Sequence, residues 1–221
     1  MDKNDIQKIN NDKSKESYDF DKIIDRSGSG DLKHEALLPR WRRNDLLPLW
    51  VADMDFETPM FITDALKKRL EHSLFGYTVE PKELWQSIIN WVKEHHQWEL
   101  RREWLKFIPG IVKGIGLVIN VYTKPGDKVI IQPPVYHPFR LTPEGNNREV
   151  VFNPLKLRDD GYYDMDFDNL EKVCDDKCRI FILCNPHNPG GICWSKETLQ
   201  KLADFCYDHH LLVISDEIHC D

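Results

Sequence analysis

Long apolar runs are missing from this 221-residue chain, and no stretch approaches the ~20 residues that a membrane-spanning helix requires. The amino-terminal MDKNDIQKINNDKSKES has no apolar centre of the kind a signal peptide carries. Membrane insertion and export are therefore not expected, and the chain reads as cytoplasmic. Lysine and arginine form no stripe, and a formal net charge of -7 gives no broad attraction for phosphate backbones, which argues against a nucleic-acid partner. The six cysteines, Cys174, Cys178, Cys184, Cys193, Cys206 and Cys220, lack CxxC pairing, so neither a zinc site nor a disulfide framework is indicated and free thiols are expected. The doublets His95-His96 and His209-His210 have no suitably spaced acid or cysteine partners. They fall near predicted helix ends, where a cation complements the dipole, and no metal is expected. There is no GxGxxG, which disfavours a dehydrogenase-like nucleotide binder, and no internal repeat or low-complexity block is visible.

What is present is the balance of a folded protein, with 41% hydrophobic and 30% charged residues, enough for one large core or a large domain plus part of a smaller one. Residues 1–17 are polar and read as a mobile tail. Residues 18–57 are irregular, broken by RSGSGD and closing on LPLWVADMDF, and read as a segment of a smaller domain. Residues 58–221 read as the large domain. Pro59 opens a predicted helix to about Leu74, with Ile62, Ala65, Leu66 and Leu70 at helical spacing. A second starts near Pro81, and its Leu84, Trp85, Ile88, Ile89 and Trp91 are expected to pack in the core.

Beyond Phe107 strands and helices alternate. An apolar helix from Gly110 to about Tyr122 leads through KPGD to the strand KVIIQ. CRIFILC is a second strand and LLVIS a third, with a helix from about Ser195 to His209 between them. This is the signature of an α/β fold with a mostly parallel sheet and helices on both faces. Ligands of such sheets collect at the carboxyl ends of the strands, where PPVY, NPHNPGG and DEIH fall. The chain ends at Asp221 directly after a strand, as expected of a truncated domain.

Three segments carry candidate chemistry. Asp216 in SDEIH follows an apolar strand and can project a carboxylate into a crevice, although a strand-end acid can also simply cap a turn. Asn188 in NPHNPGG stands on a proline-fixed, glycine-permitted turn, which by itself could be only a connecting loop. Gly110-Ile-Val-Lys-Gly at a predicted helix start offers free backbone amides suited to phosphate, or glycines that only permit close packing.

In this order and at these separations the segments become specific. The chain resembles the fold-type I pyridoxal-phosphate enzymes, and among them the cystathionine β-lyases (C-S lyases) of the MalY/PatB type. WVADMDF, FGYTVEP, KPGDKVIIQPPVYHPF, NPHNPGG and SDEIHCD carry the resemblance, which runs from about Tyr18 to Asp221. Lys113 departs from it, standing where relatives often carry a small or cyclic residue, and the pattern's carboxyl-terminal half is missing.

The resemblance implies pyridoxal 5'-phosphate as cofactor, a small amino-acid substrate, a homodimer and a place in amino-acid and methionine metabolism. It implies that Asp216 holds the proton on the pyridine nitrogen and that Asn188 donates to the phenolic oxygen. His219 would lie near that oxygen or support Asp216 from behind. Tyr136 would stack on the ring, the amides of Ile111 and Val112 would bind the phosphate, and Tyr77 would reach the phosphate of the neighbouring subunit. Asp53 and Asp55 would lie near the substrate entrance. The Schiff-base lysine would lie past Asp221, so no catalytic lysine is expected in this chain. The implied reaction is carbon-sulfur β-elimination from cysteine thioethers, yielding thiol, pyruvate and ammonia. An aminotransferase would use the same constellation, and a non-catalytic fragment would keep only binding or dimerisation surfaces.

Overall fold

The computed structural model describes residues 18–221, so the tail expected over 1–17 lies outside the described residues. Contacts divide the chain after Glu80 into two compact units, downstream of the boundary expected between 57 and 58.

In the first unit polar side chains do much of the organising. Asp31 caps helix α1 (Leu32–Glu35) by accepting from the amides of Lys33 and His34, which satisfies donors that a helix start leaves open. Helix α2 (Leu37–Trp41) follows directly and ends at Arg42 in the left-handed region. The Arg26 guanidinium reaches Asp31 at 2.8 Å and both Asp53 and Asp55 at 3.0 Å. Lys33 is buried, with Nζ 2.7 Å from Asp55 and 3.0 Å from the Asp53 carbonyl. Two cations thereby tie residues 26–33 to residues 53–55. Helix α3 (Met60–Leu70) begins after Pro59 and ends a turn before the expected Leu74. Its last turn is Lys67, Lys68 and Arg69, and Arg69 donates to the carbonyl of His72, so the chain is turned there before the apolar Leu74 and Phe75.

The second unit starts with helix α4 (Lys82–His96) after Pro81. Trp85 is buried, under the Arg102 guanidinium 3.8 Å from its ring, whereas Leu84 and Trp91, both expected in the core, are exposed. Six residues of helix carry a side chain about 240° around the axis, so both tryptophans cannot share one buried face. Helix α5 (Ile111–Tyr122), strand β1 (Lys128–Ile131), helix α6 (Pro138–Gly145) and strand β2 (Glu149–Phe152) come next. The hairpin β3–β4 (Lys156–Leu157, Tyr163–Asp164), helix α7 (Phe167–Val173), strand β5 (Cys178–Cys184), helix α8 (Lys196–Asp208) and strand β6 (Leu212–Asp216) complete it.

Strands β2-β1-β5-β6 form a four-stranded sheet with every pairing parallel. Side chains of β1 and β5 alternate between two apolar layers. Val129, Ile131, Ile180 and Ile182 meet Ile115, Ile119 and Phe139 of α5 and α6, while Ile130, Phe181 and Leu183 meet Leu170, Leu202 and Phe205 of α7 and α8. Helices thus cover both faces, as expected, and each such buried side chain contributes about 1.5–3 kcal/mol. Strand β2 was not anticipated from the sequence. It is a partly exposed edge strand, and EVVF lacks the long apolar run that marks a central one. Buried Arg148 at its foot has no carboxylate partner among the described residues and donates to Thr123 Oγ1 (2.8 Å), the Thr123 carbonyl (2.7 Å), Asn120 Oδ1 (3.0 Å) and the Asn146 carbonyl. One guanidinium therefore closes the carboxyl ends of both α5 and α6, where a cation is favoured by the helix dipoles. All six cysteines are free, and burial pushes the Cys174 and Cys206 thiols up to about 12.

Candidate functional site

The carboxyl ends of β1, β5 and β6 lie side by side, because the three strands are parallel and adjacent. Asp216, the last residue of β6, sits in register with Cys184, the last residue of β5. The Asp216 carbonyl accepts the Asn185 amide at 3.0 Å, so the NPHNPGG loop is bonded to β6 at its first residue. The loop then folds on itself. The His187 amide donates to the Ile192 carbonyl at 2.7 Å, the Gly191 amide donates back to the His187 carbonyl at 2.8 Å, and the Gly190 amide donates to His187 Nδ1 at 3.3 Å. A Cβ on Gly190 would fall 2.8 Å from that same ring nitrogen, so glycine is required by close approach. The peptide bonds Asn185-Pro186 and Asn188-Pro189 are cis.

Two arms hold this loop. Trp194 donates its indole N–H to the Cys184 carbonyl at 3.0 Å and its amide to Asn185 Oδ1 at 3.1 Å. On the other side, the Tyr136 amide donates to the Asn188 carbonyl at 3.0 Å, which joins the segment after β1 to the loop after β5. Three of the sequence-predicted residues, Tyr136, Asn188 and Asp216, are in this way brought to one sheet end by backbone bonds.

Their side chains are left available. Asp216 is 7% exposed, accepts one hydrogen bond, from the Ile218 amide at 3.1 Å, and pairs with no cation among the described residues. A carboxylate so far out of water ordinarily has a charged partner. The Asn188 carboxamide has no hydrogen-bond partner among the described residues. The Tyr136 ring is partly exposed and rests edge-on against Phe139 at 6.1 Å.

Ile111 and Val112 are the first two residues of α5. Gly110 before them has φ +109, and among the described residues no side chain caps the helix start and nothing lies within 4 Å of where a Gly110 Cβ would be. Because α5 turns through Gly126 straight into β1 and packs along the sheet, its amino terminus points toward the strands' carboxyl ends. That is the same end as Asp216. His219 is exposed in the turn after β6 and makes no hydrogen bond with Asp216. In the first unit, Tyr77 is fully exposed, and the Asp53 and Asp55 carboxylates are engaged by Arg26 and Lys33. The Lys33 hydrogen bond holds the Asp55 carboxyl below its ordinary range.

Several residues of the site are not singled out by the sequence. Cys184 Sγ accepts the Asn188 amide, Trp194 anchors the strand end, and buried His187 supports Gly190. Burial lowers the His187 pKa, opposed by the Gln132 backbone, and favours the neutral ring whose Nδ1 accepts the Gly190 amide. Histidine and the glycines stand within NPHNPGG, but only the fold shows which atoms meet. His96 likewise gains a partner that its spacing does not suggest, with Nε2 2.9 Å from Asp221. Lys128, by contrast, pairs with Asp175 at the opposite end of the sheet, and Lys113 lies in the first turn of α5.

Comparison with known proteins gives this arrangement relatives. Residues 44–221 match the family model for aminotransferase class I and II. The chain is 44% identical over 203 residues to the cystathionine beta-lyase PatB of Bacillus subtilis (strain 168), covering 91% of this chain and 52% of PatB. It is 34% identical over 206 residues to the protein MalY of Escherichia coli (strain K12), covering 92% of this chain and 53% of MalY. Among solved structures, cystalysin from Treponema denticola, which contains pyridoxal 5'-phosphate, superposes with a TM-score of 0.85 at 37% identity, covering 92% of this chain and 52% of that one. The chain spans about half the length of the relatives it matches. It belongs to the aminotransferase class I and II family.

Proposed function

We propose that this chain forms much of the cofactor-binding half of a pyridoxal-5'-phosphate-dependent carbon-sulfur β-lyase acting on cystathionine or a similar cysteine thioether. Residues 58–221 belong to its large domain and 18–57 to a smaller one. The observation that carries the reading is Asp216, a buried residue whose carboxylate has no cation beside it among the described residues, at the same strand ends as an Asn188 carboxamide with no partner among them. A protonated pyridine nitrogen and a phenolic oxygen would satisfy both.

When bound, the cofactor supplies an electron sink for the negative charge that develops at the substrate's α-carbon. Asp216 keeps the proton on the pyridine nitrogen, since an anion in a partly dry site favours the charged ring. Asn188 donates to the phenolic oxygen and disperses charge there. His219 stands on the same side, near that oxygen or behind Asp216. Tyr136 covers one face of the ring without competing for its polar edge. The amides of Ile111 and Val112, at an uncapped helix start, hold the phosphate. Tyr77 completes the phosphate site of a second copy, in a cytoplasmic homodimer, and Asp53 and Asp55 stand near the substrate entrance. In this reading the covalent lysine comes from sequence outside these 221 residues, and it carries the α-proton.

The family match itself favours a second reading, an aminotransferase, because the same residues would serve it. Full-length protein given cystathionine decides between them. Thiol and pyruvate released in equal amounts support the lyase. Amino-group transfer to an added 2-oxo acid without thiol release overturns it.

A further inference from the structure

We propose that Cys184 is a positioning residue, whose thiol sets the Asn188 loop against the Asp216 strand and so places the carboxamide that would meet the cofactor's phenolic oxygen. The inference rests on the cofactor reading above. Cys184 ends β5, is the cross-strand neighbour of Asp216 and is 5% exposed. Its Sγ accepts the Asn188 amide at 3.2 Å, and its S–H is directed to the Pro186 carbonyl at 3.5 Å. Its own carbonyl takes the Trp194 indole at 3.0 Å, and Asn188 in turn accepts the Tyr136 amide at 3.0 Å. A single line of contacts thus runs from Asp216 through Cys184 and Asn188 to Tyr136.

The side chain acts here as donor and acceptor together, which requires the protonated thiol. Burial and the charge of Asp216 both favour that form, against the Asn188 amide bond. This is the opposite of what a nucleophilic cysteine needs. An alanine would leave the Asn188 amide without its acceptor, and the loop would be free to turn the carboxamide away.

The test compares the parent protein with Cys184→Ala and Cys184→Ser, titrated with pyridoxal 5'-phosphate and with its 3-deoxy analogue, which lacks the phenolic oxygen. The alanine variant should bind the natural cofactor about tenfold more weakly, the loss of roughly one net hydrogen bond, while the serine variant recovers most of it. With the 3-deoxy analogue, parent and alanine variant should bind alike. Equal affinity of parent and Cys184→Ala for the natural cofactor, or the same loss with both ligands, would overturn the proposal. Hydrogen exchange gives a readout independent of cofactor and of the variants' yield. The Asn188 amide should be protected in the parent and exposed in whichever variant lacks an acceptor, and fast exchange in the parent sinks the idea. A parent that binds neither ligand but protects the Asn188 amide refutes the cofactor reading and leaves the thiol contact standing.

Discussion

Replacing Asp216 separates a residue that serves a ligand from one that serves the fold, because the two roles give opposite signs. In the free chain Asp216 is 7% exposed, and its carboxylate accepts a single amide hydrogen bond and faces no cation among the described residues. A charge held in that state costs stability. Asp216→Asn removes the charge while keeping an acceptor for the Ile218 amide, so the thermal midpoint without cofactor should stay level or rise by a few degrees. With cofactor the sign reverses. Removing one partner of a buried ion pair costs ~3–5 kcal/mol, so Asp216→Ala should weaken cofactor binding by roughly two to three and a half orders of magnitude. A loss of similar size at the charge-developing step would cut turnover of the full-length enzyme by a factor of hundreds or more. Thermal melts with and without pyridoxal 5'-phosphate, together with absorbance titrations, read both signs. A variant that melts several degrees lower while binding cofactor as the parent does would show Asp216 to be structural and would refute the argument.

Three further outcomes follow from the same reasoning. Tyr77→Phe should weaken cofactor retention in the full-length protein, and mixing it with chains lacking a different site residue should regenerate some parental sites, whereas a fully active monomer would exclude a shared site. The 221-residue chain by itself should trap no single lysine on borohydride treatment with cofactor and release no pyruvate from cystathionine, since Lys128 is paired with Asp175 at the far end of the sheet. Stoichiometric trapping at one lysine with turnover would overturn that. Arg148→Met should lower stability by about 3 kcal/mol, because charge-assisted bonds to the Thr123 and Asn146 carbonyls are lost and buried acceptors are left unpaired, as a denaturant melt would measure.

Much of this molecule was legible from local pattern. The strands KVIIQ, CRIFILC and LLVIS appear as β1, β5 and β6 within a residue or two, and helices flank both faces. The central strands β1 and β5 are buried on both sides and need a continuous apolar run, which is visible in the sequence, and β6, an edge strand, carries such a run as well. β2 escaped because an edge strand is half solvated and need not be strongly apolar. Trp91 was misplaced because an apolar helix residue shows which faces could be buried and not which one finds a partner.

For the site, sequence alone determined the residue types and their order: an aromatic, an amide and a carboxylate at the ends of three apolar strands, and a glycine before a helix. Parallel strands with adjacent ends then oblige such residues to gather at one edge of the sheet. What only the tertiary structure decided is which atoms meet. Cys184 lies opposite Asp216 through strand register, Trp194 reaches back to the Cys184 carbonyl, and Tyr136 bonds to Asn188 across the sheet end. These contacts join residues far apart in the chain, and no local propensity encodes them, because each depends on strand order and register that the packing of both apolar layers sets.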